Sequence, residues 1–307
     1  MIYLRRVRTI CLLIISLLFF SGTVFSQRVI EIKYQANAKG GYVFSCINYA
    51  YCNYILELGF TQFDNLRSDR TLPFHGEIKP GYNSLFTISP INPNDPIQFK
   101  YSSATQKGCM HPVVNSDFTY LLPVSPGKDA QVYEMSPDKP SDTANWYVLR
   151  LKMKPGDTIY AARKGIVNIV EDRDASNDAG QNSIGKENFI ELVQPDCSFA
   201  RYGILKKNSA MVIPGQLVKA GQPIGLVGGD TFGRGSEIRF SVYYFQEESG
   251  GLSQSPSRHF VITQIWTKDQ GKGRLRHGAV YVAEFPKSVV NQEATAPVKK
   301  KPVKSKH

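Results

Sequence analysis

Gly235-Ser236-Glu237-Ile238-Arg239-Phe240-Ser241-Val242 alternates polar and apolar residues from Glu237 onward. Residues two apart on a strand share a face, so Ile238, Phe240 and Val242 are assigned to a core while Glu237, Arg239 and Ser241 face the other way. The polar face therefore carries an acid and a base side by side. The sequence predicts that Glu237 pairs with Arg239 or with the upstream Arg150. The contrasting expectation is ordinary solvated charge on an exposed sheet face, where an ion pair contributes about 0–1 kcal/mol.

Three further stretches precede this strand: Tyr160-Ala161-Ala162-Arg163-Lys164-Gly165-Ile166-Val167, Arg201-Tyr202-Gly203-Ile204-Leu205, and Val218-Lys219-Ala220-Gly221-Gln222-Pro223-Ile224-Gly225-Leu226-Val227-Gly228. Their order, spacing and glycine punctuation resemble the lysostaphin-like, or LytM-type, zinc metallopeptidases of the duplicated hybrid motif kind, as in exported Bacteroidetes members. These enzymes cut peptidoglycan cross-bridges. The resemblance covers roughly residues 137–245 and implies an antiparallel β-sheet core with long rim loops.

It also implies a zinc site, and each of its positions can be checked. The family holds the metal with a His and an Asp ahead of the first sheet strand and with the second His of a terminal His-x-His. Counted back from the Gly156-Asp157-Thr158-Ile159 turn, the ligand Asp falls on Arg150. The stretch from Ser136 to Tyr147, where the first His belongs, has none, and Arg239 stands at the terminal His. The two acid-base histidines of the family correspond to Glu237 and Ile204. A catalytic zinc needs about three nitrogen, sulfur or carboxylate ligands around one open position, and arginine stays cationic at any accessible pH. The expectation is a degenerate member with no metal, no catalytic residue and no cofactor. Its candidate cleft residues are Arg150, Ile204, Glu237 and Arg239, with Tyr202 and Ser241 beside them. The remaining histidines, His75, His111, His259, His277 and His307, form neither a His-x-His nor a His-Glu-x-x-His pair.

At 307 residues, 42% hydrophobic and 21% charged, the chain has room for two globular domains. Arg5, Arg6 and Arg8, the apolar run Ile10 to Phe20 and the small-residue exit Gly22-Thr23-Val24-Phe25-Ser26 read as a cleavable secretory signal. Cleavage is expected near Ser26/Gln27, leaving an exported protein, periplasmic or extracellular, with no membrane span. Removing three arginines from the whole chain's +11 leaves a net charge of about +8, part of it in Lys299-Lys300-Lys301 through Lys306. Without a nucleic-acid motif, interleaved aromatics or a basic helix, this charge does not indicate DNA or RNA binding. Cys46, Cys52, Cys109 and Cys197 permit two disulfides in three pairings, and the short turn between Cys46 and Cys52 suits a cross-strand bridge.

The organisation expected is all-β. Residues 1–26 are the signal and 27–126 a small β-sandwich-like module, with strands such as Arg28 to Tyr34, Tyr42 to Ile47, Tyr54 to Phe60 and Ser84 to Ile88. Residues 127–143, rich in Pro, Asp, Ser and Lys, read as a linker. Residues 144–285 form the LytM-type core with its closing segment, with Asp172 to Lys186 as a rim loop, and residues 286–307 form a disordered lysine-rich tail. The N-terminal module and the Tyr120-Leu121-Leu122-Pro123 segment also resemble exported relatives.

The leading functional expectation is a catalytically inactive peptidase homologue of the cell envelope that binds peptidoglycan, a wall hydrolase or another envelope protein. The alternative is an active zinc metalloendopeptidase cleaving peptidoglycan cross-bridge peptides with a non-standard ligand set. A third reading, a biotinyl- or lipoyl-like carrier, rests on the Val218–Gly225 half-motif. It fails on the lysine, since Lys152 before Met153 lies in a strand-like run rather than at a hairpin tip.

Overall fold

The structure is a computed structural model, and it describes residues 29–135, 147–173, 187–229, 236–247 and 257–292. The expected signal segment, the rim loop beyond position 173 and the lysine-rich end lie outside the described residues.

Seven strands build the N-terminal module: β1 (Ile30–Ala36), β2 (Tyr42–Asn48), β3 (Tyr54–Asp64), β4 (Leu66–Ser68), β5 (Phe74–Ile78), β6 (Gly81–Pro90) and β7 (Gln98–Lys107). They form two antiparallel sheets, ordered β1-β2-β6-β4 and β5-β3-β7. Phe44, Cys46, Phe86 and Ile88 from one sheet meet Leu56, Leu58 and Ile78 from the other in a shared core. Phe44 stacks on Phe86 with ring centroids 4.9 Å apart. Each such buried side chain stabilises the fold by about 1.5–3 kcal/mol, and the two-sheet arrangement is the expected small sandwich.

The rest of the chain contributes β8 (Thr119–Leu121), β9 (Asp129–Met135), β10 (Val148–Lys152), β11 (Thr158–Tyr160), β12 (Gly165–Glu171), β13 (Phe189–Val193), β14 (Phe199–Gly203), β15 (Leu217–Val218), β16 (Pro223–Leu226), β17 (Glu237–Gln246), β18 (Ser257–Val261), β19 (Gln264–Thr267), β20 (Gly271–Gly273), β21 (Val280–Val282) and the short helix α1 (Lys287–Val290). Nine strands make one antiparallel sheet in the order β15-β12-β13-β14-β17-β10-β9-β21, with β18 also on β17. The β11–β16 pair and a β20-β19-β8 sheet accompany it, and β8 runs parallel to β19. Ile238, Phe240 and Val242 of β17 join Tyr202, Leu149, Leu151 and Ile190 in the main core, as the alternation in β17 requires.

Two sequence expectations change. The segment read as a linker contains β9, which pairs with both β10 and β21. Its Pro, Asp and Lys neighbours mask a short alternation in which Ala130 and Val132 are buried. The proposed tail begins with α1, whose Val289 is 8% exposed. Among the described residues no helix is long and apolar enough to cross a membrane, which says nothing about strands.

The sandwich and the large sheet are joined covalently and by packing. A disulfide links Cys109, just after β7, to Cys197, just before β14. The cross-strand Cys46–Cys52 bridge is absent: both thiols are free and buried. The reason is packing, because Cys46 lies in the sandwich core while Cys52 packs against Phe199, Tyr243 and Phe245 of the large sheet.

Beside this junction the Lys107 ammonium of β7 is ion-paired with Glu191 of β13, which is 2% exposed. Glu191 also accepts from Asn168 Nδ2 at 2.7 Å and from the Tyr243 hydroxyl. The register of β12 against β13 shifts between Val167 and Ile169, and such a bulge re-aims the residue within it, here Asn168. Burial pushes the Glu191 carboxyl up, but the Lys107 charge and the three hydrogen bonds outweigh it and hold it below its usual value.

Candidate functional site

Three adjacent strands, β10, β17 and β14, present one face on which the charges gather. Arg150 of β10 lies opposite Arg239 of β17, and Lys152 lies opposite Glu237. Arg239 in turn lies opposite Gly203 of β14, and Ser241 opposite Arg201. Register alone therefore places Arg150, Lys152, Glu237, Arg239, Arg201 and Ser241 on one side of the sheet.

The side chains close into a ladder of alternating sign. Arg150 donates from Nε to Glu237 Oε2 at 2.8 Å, with its NH2 also on that oxygen. Arg239 donates from Nε to Glu237 Oε1 at 3.1 Å and from NH1 to Glu187 Oε2 at 2.8 Å. Arg201 reaches Glu187 at 3.7 Å, and its guanidinium carbon stands 3.4 Å from the Phe189 ring centroid. The pairing expected between Glu237 and the arginines is present, and with both of them. Glu187 is an addition that sequence reasoning missed, because it borders the polar rim segment. Its carboxylate occupies the space over Gly203, 2.8 Å from where a Cβ would stand, so a larger residue there would push the Glu187 side chain aside.

Burial separates this face from ordinary surface charge. The side chains of Glu237 and Glu187 are 8% and 12% exposed, and those of Arg150 and Arg239 are 18% and 23% exposed. Ser241 is buried too. The expectation of a solvated sheet face is therefore overturned. Further along the same face, Tyr243 and Phe245 are covered by the sandwich through Cys52, Ala50 and Tyr54, so β17 is enclosed on both sides.

Tyr202 is a correction. Expected in the cleft, it instead faces the core, because its neighbours along β14, Arg201 and Gly203, take the charged side. It is fully buried there, and its hydroxyl accepts a hydrogen bond from the Ala162 amide at 2.8 Å. Burial raises its phenol well beyond the ordinary range. Ile204 follows β14 and is 1% exposed with φ 67°. A β-branched residue in the left-handed region costs about 1–2 kcal/mol, so the turn that bears it is held by the fold rather than by the residue's own preference. The Ile204 carbonyl accepts from the Gly228 amide at 2.9 Å.

A cavity of about 330 Å³ lies at the Arg150 end of the ladder, lined by Tyr133, Arg150, Lys152, Ser236 and Glu237. The donor set does not fit a divalent metal. Both oxygens of Glu237 are engaged by guanidinium groups, and among the described residues no three His, Cys, Asp or Glu side chains cluster as a metal site would need. A cation on Glu237 would stand beside Arg150 and Arg239, and neither loses its charge.

Residues 145–251, about a third of the chain, match the model of peptidase family M23. No curated protein matches the chain. Among solved structures, a mutant catalytic domain of the prophage-encoded M23 protein EnpA from Enterococcus faecalis is 21% identical. That alignment covers 47% of this chain and 91% of that one, with a TM-score of 0.28. The catalytic domain of the antimicrobial peptidase lysostaphin from Staphylococcus simulans is 23% identical over 38% and 78% of the two chains, with a TM-score of 0.26. A zinc containing peptidase from Vibrio cholerae is 15% identical over 75% and 77%, with a TM-score of 0.30. At these TM-scores the structural likenesses add no argument, and the family rests on the match to residues 145–251.

Proposed function

We propose that this protein is a non-catalytic M23-type protein of the cell envelope that acts by binding peptidoglycan or a wall-hydrolase partner. The observation that carries the reading is the occupation of Glu237 by Arg150 and Arg239. Arg150 and Arg239, which the resemblance assigns to zinc-ligand positions, belong to an ion-pair ladder, and the ladder is half-buried, so it is part of the packing of the sheet. What remains is a face rich in fixed hydrogen-bond donors beside a cavity, which suits recognition of a carboxylate-bearing peptide. The leader-like segment at residues 1–26 supports export, and the basic balance of the chain suits anionic wall polymers.

Retention on purified peptidoglycan tests the reading, comparing the wild type with Arg150→Ala plus Arg239→Ala after confirming that both melt cooperatively. Retention of the wild type and its loss in the double variant support the proposal; equal retention of both rejects the role of the two arginines. Metal content after refolding with zinc is the second measurement. Stoichiometric zinc, or chelator-sensitive cleavage of cross-bridge peptides, would overturn the non-catalytic reading.

A further inference from the structure

Among the described residues, the cavity at the Arg150 end of the ladder is unbalanced in charge and in hydrogen bonding. Its wall holds two cations, Arg150 and Lys152, against the one carboxylate of Glu237. That carboxylate is already engaged on both oxygens. Lys152 is exposed and has no acidic partner among the described residues. Ser236 lines the same cavity, is 6% exposed, and its Oγ is buried with no hydrogen-bond partner among the described residues. Leaving such a hydroxyl unsatisfied costs about 1–3 kcal/mol.

An ammonium, a guanidinium and an unspent hydroxyl around one void ask for the same thing, a ligand that accepts hydrogen bonds and carries negative charge. We propose that this cavity is a carboxylate subsite that takes the free C-terminus of a short peptide. Lys152 and the outer edge of Arg150 hold the anion, and Ser236 donates to it. The single excess positive charge of the wall matches a monoanion better than a phosphate dianion. The Tyr133 ring, 5.9 Å from the Arg150 guanidinium, leaves an apolar wall for the small side chain of the terminal residue. The inference rests on the binding function proposed above and names the chemical group recognised.

Calorimetric titration of the full chain with N-acetyl-alanyl-alanine, with its C-terminal amide and with inorganic phosphate tests it. The acid is expected to bind, and the amide about tenfold or more weakly, which is the loss of one charge-assisted contact. Lys152→Met is expected to weaken the acid by about tenfold with the amide unaffected, and Ser236→Ala to weaken the acid by about threefold. Equal binding of acid and amide, binding of phosphate in place of the acid, or undiminished binding by Lys152→Met would overturn the subsite. Retention on peptidoglycan without acid binding removes the subsite and leaves the proposed function standing. Acid binding without retention does the reverse.

Discussion

Arg150 stands directly across the β10–β17 ladder from Arg239, and the two guanidinium groups share the carboxylate of Glu237. Like charges directly opposite one another destabilise a sheet pair. This pair is tolerated because one acid bridges it and a second, Glu187, takes the far side of Arg239.

Glu237→Gln should therefore unmask the repulsion. Breaking a buried pair costs about 3–5 kcal/mol, and the partial exposure of both arginines lowers the expected loss to about 2–3 kcal/mol. Urea unfolding followed by tryptophan fluorescence measures it. A loss below about 0.5 kcal/mol would mean that the ladder is ordinary surface charge.

Lys107→Met removes the partner of the most buried acid at the junction, Glu191, while Asn168 and Tyr243 still donate to it. The expected cost is about 3 kcal/mol. Because Lys107 belongs to the sandwich and Glu191 to the large sheet, unfolding should also become less cooperative, with two separable transitions by calorimetry. A single unshifted transition would show that the pair does not couple the two parts.

Acid should destabilise the protein through Glu191 and Asp196. Burial raises both carboxyls, but the charges of Lys107 and of Arg163, with their hydrogen bonds, leave both below the ordinary values of 4.5 and 3.8. A carboxyl depressed by folding contributes stability that is full above its unfolded value and lost as pH falls through its folded value. Tm should hold from neutrality down to about pH 5 and then drop steeply toward about pH 3. Lys107→Met should flatten the Glu191 part of that drop, and an unchanged profile in the variant would exclude Glu191 as a source.

The cysteines divide by environment. Burial pushes the Cys46 thiol up to about 11 and the Cys52 thiol up to about 12, so at about pH 8 roughly one thiol in a thousand or fewer is ionised. Alkylation mapped by mass spectrometry should leave both unmodified in the native protein and label both in denaturant, with Cys109 and Cys197 labelled only after reduction. Cys109→Ser with Cys197→Ser should cost about 4–5 kcal/mol, since the bridge closes a loop across a sequence separation of 88. Rapid native labelling of Cys52 would contradict its packing against Phe199 and Tyr243.

Much of the architecture was legible along the chain. Alternation in β2, β3 and β17 was strong because one face of each meets a core. β7 and β9 were not, because Gln98–Lys107 is mostly polar with only Phe99 and Tyr101 lapping the sandwich, and β9 hides among turn-forming residues. At the site, Arg150, Glu237 and Arg239 could be found from motif positions. Glu187 and Lys152 could not, since no motif marks them and only register and loop position bring them to the site.

The sequence alone determined the all-β character and the family resemblance, because periodicity and residue chemistry are local properties of the chain. Tertiary structure decided that Glu237 is shared by two arginines, that Tyr202 belongs to the core, and that Cys109 meets Cys197 while Cys46 and Cys52 stay apart. Those outcomes depend on strand order and on which faces are covered, and contacts between residues distant in the chain are set by packing that no local pattern encodes.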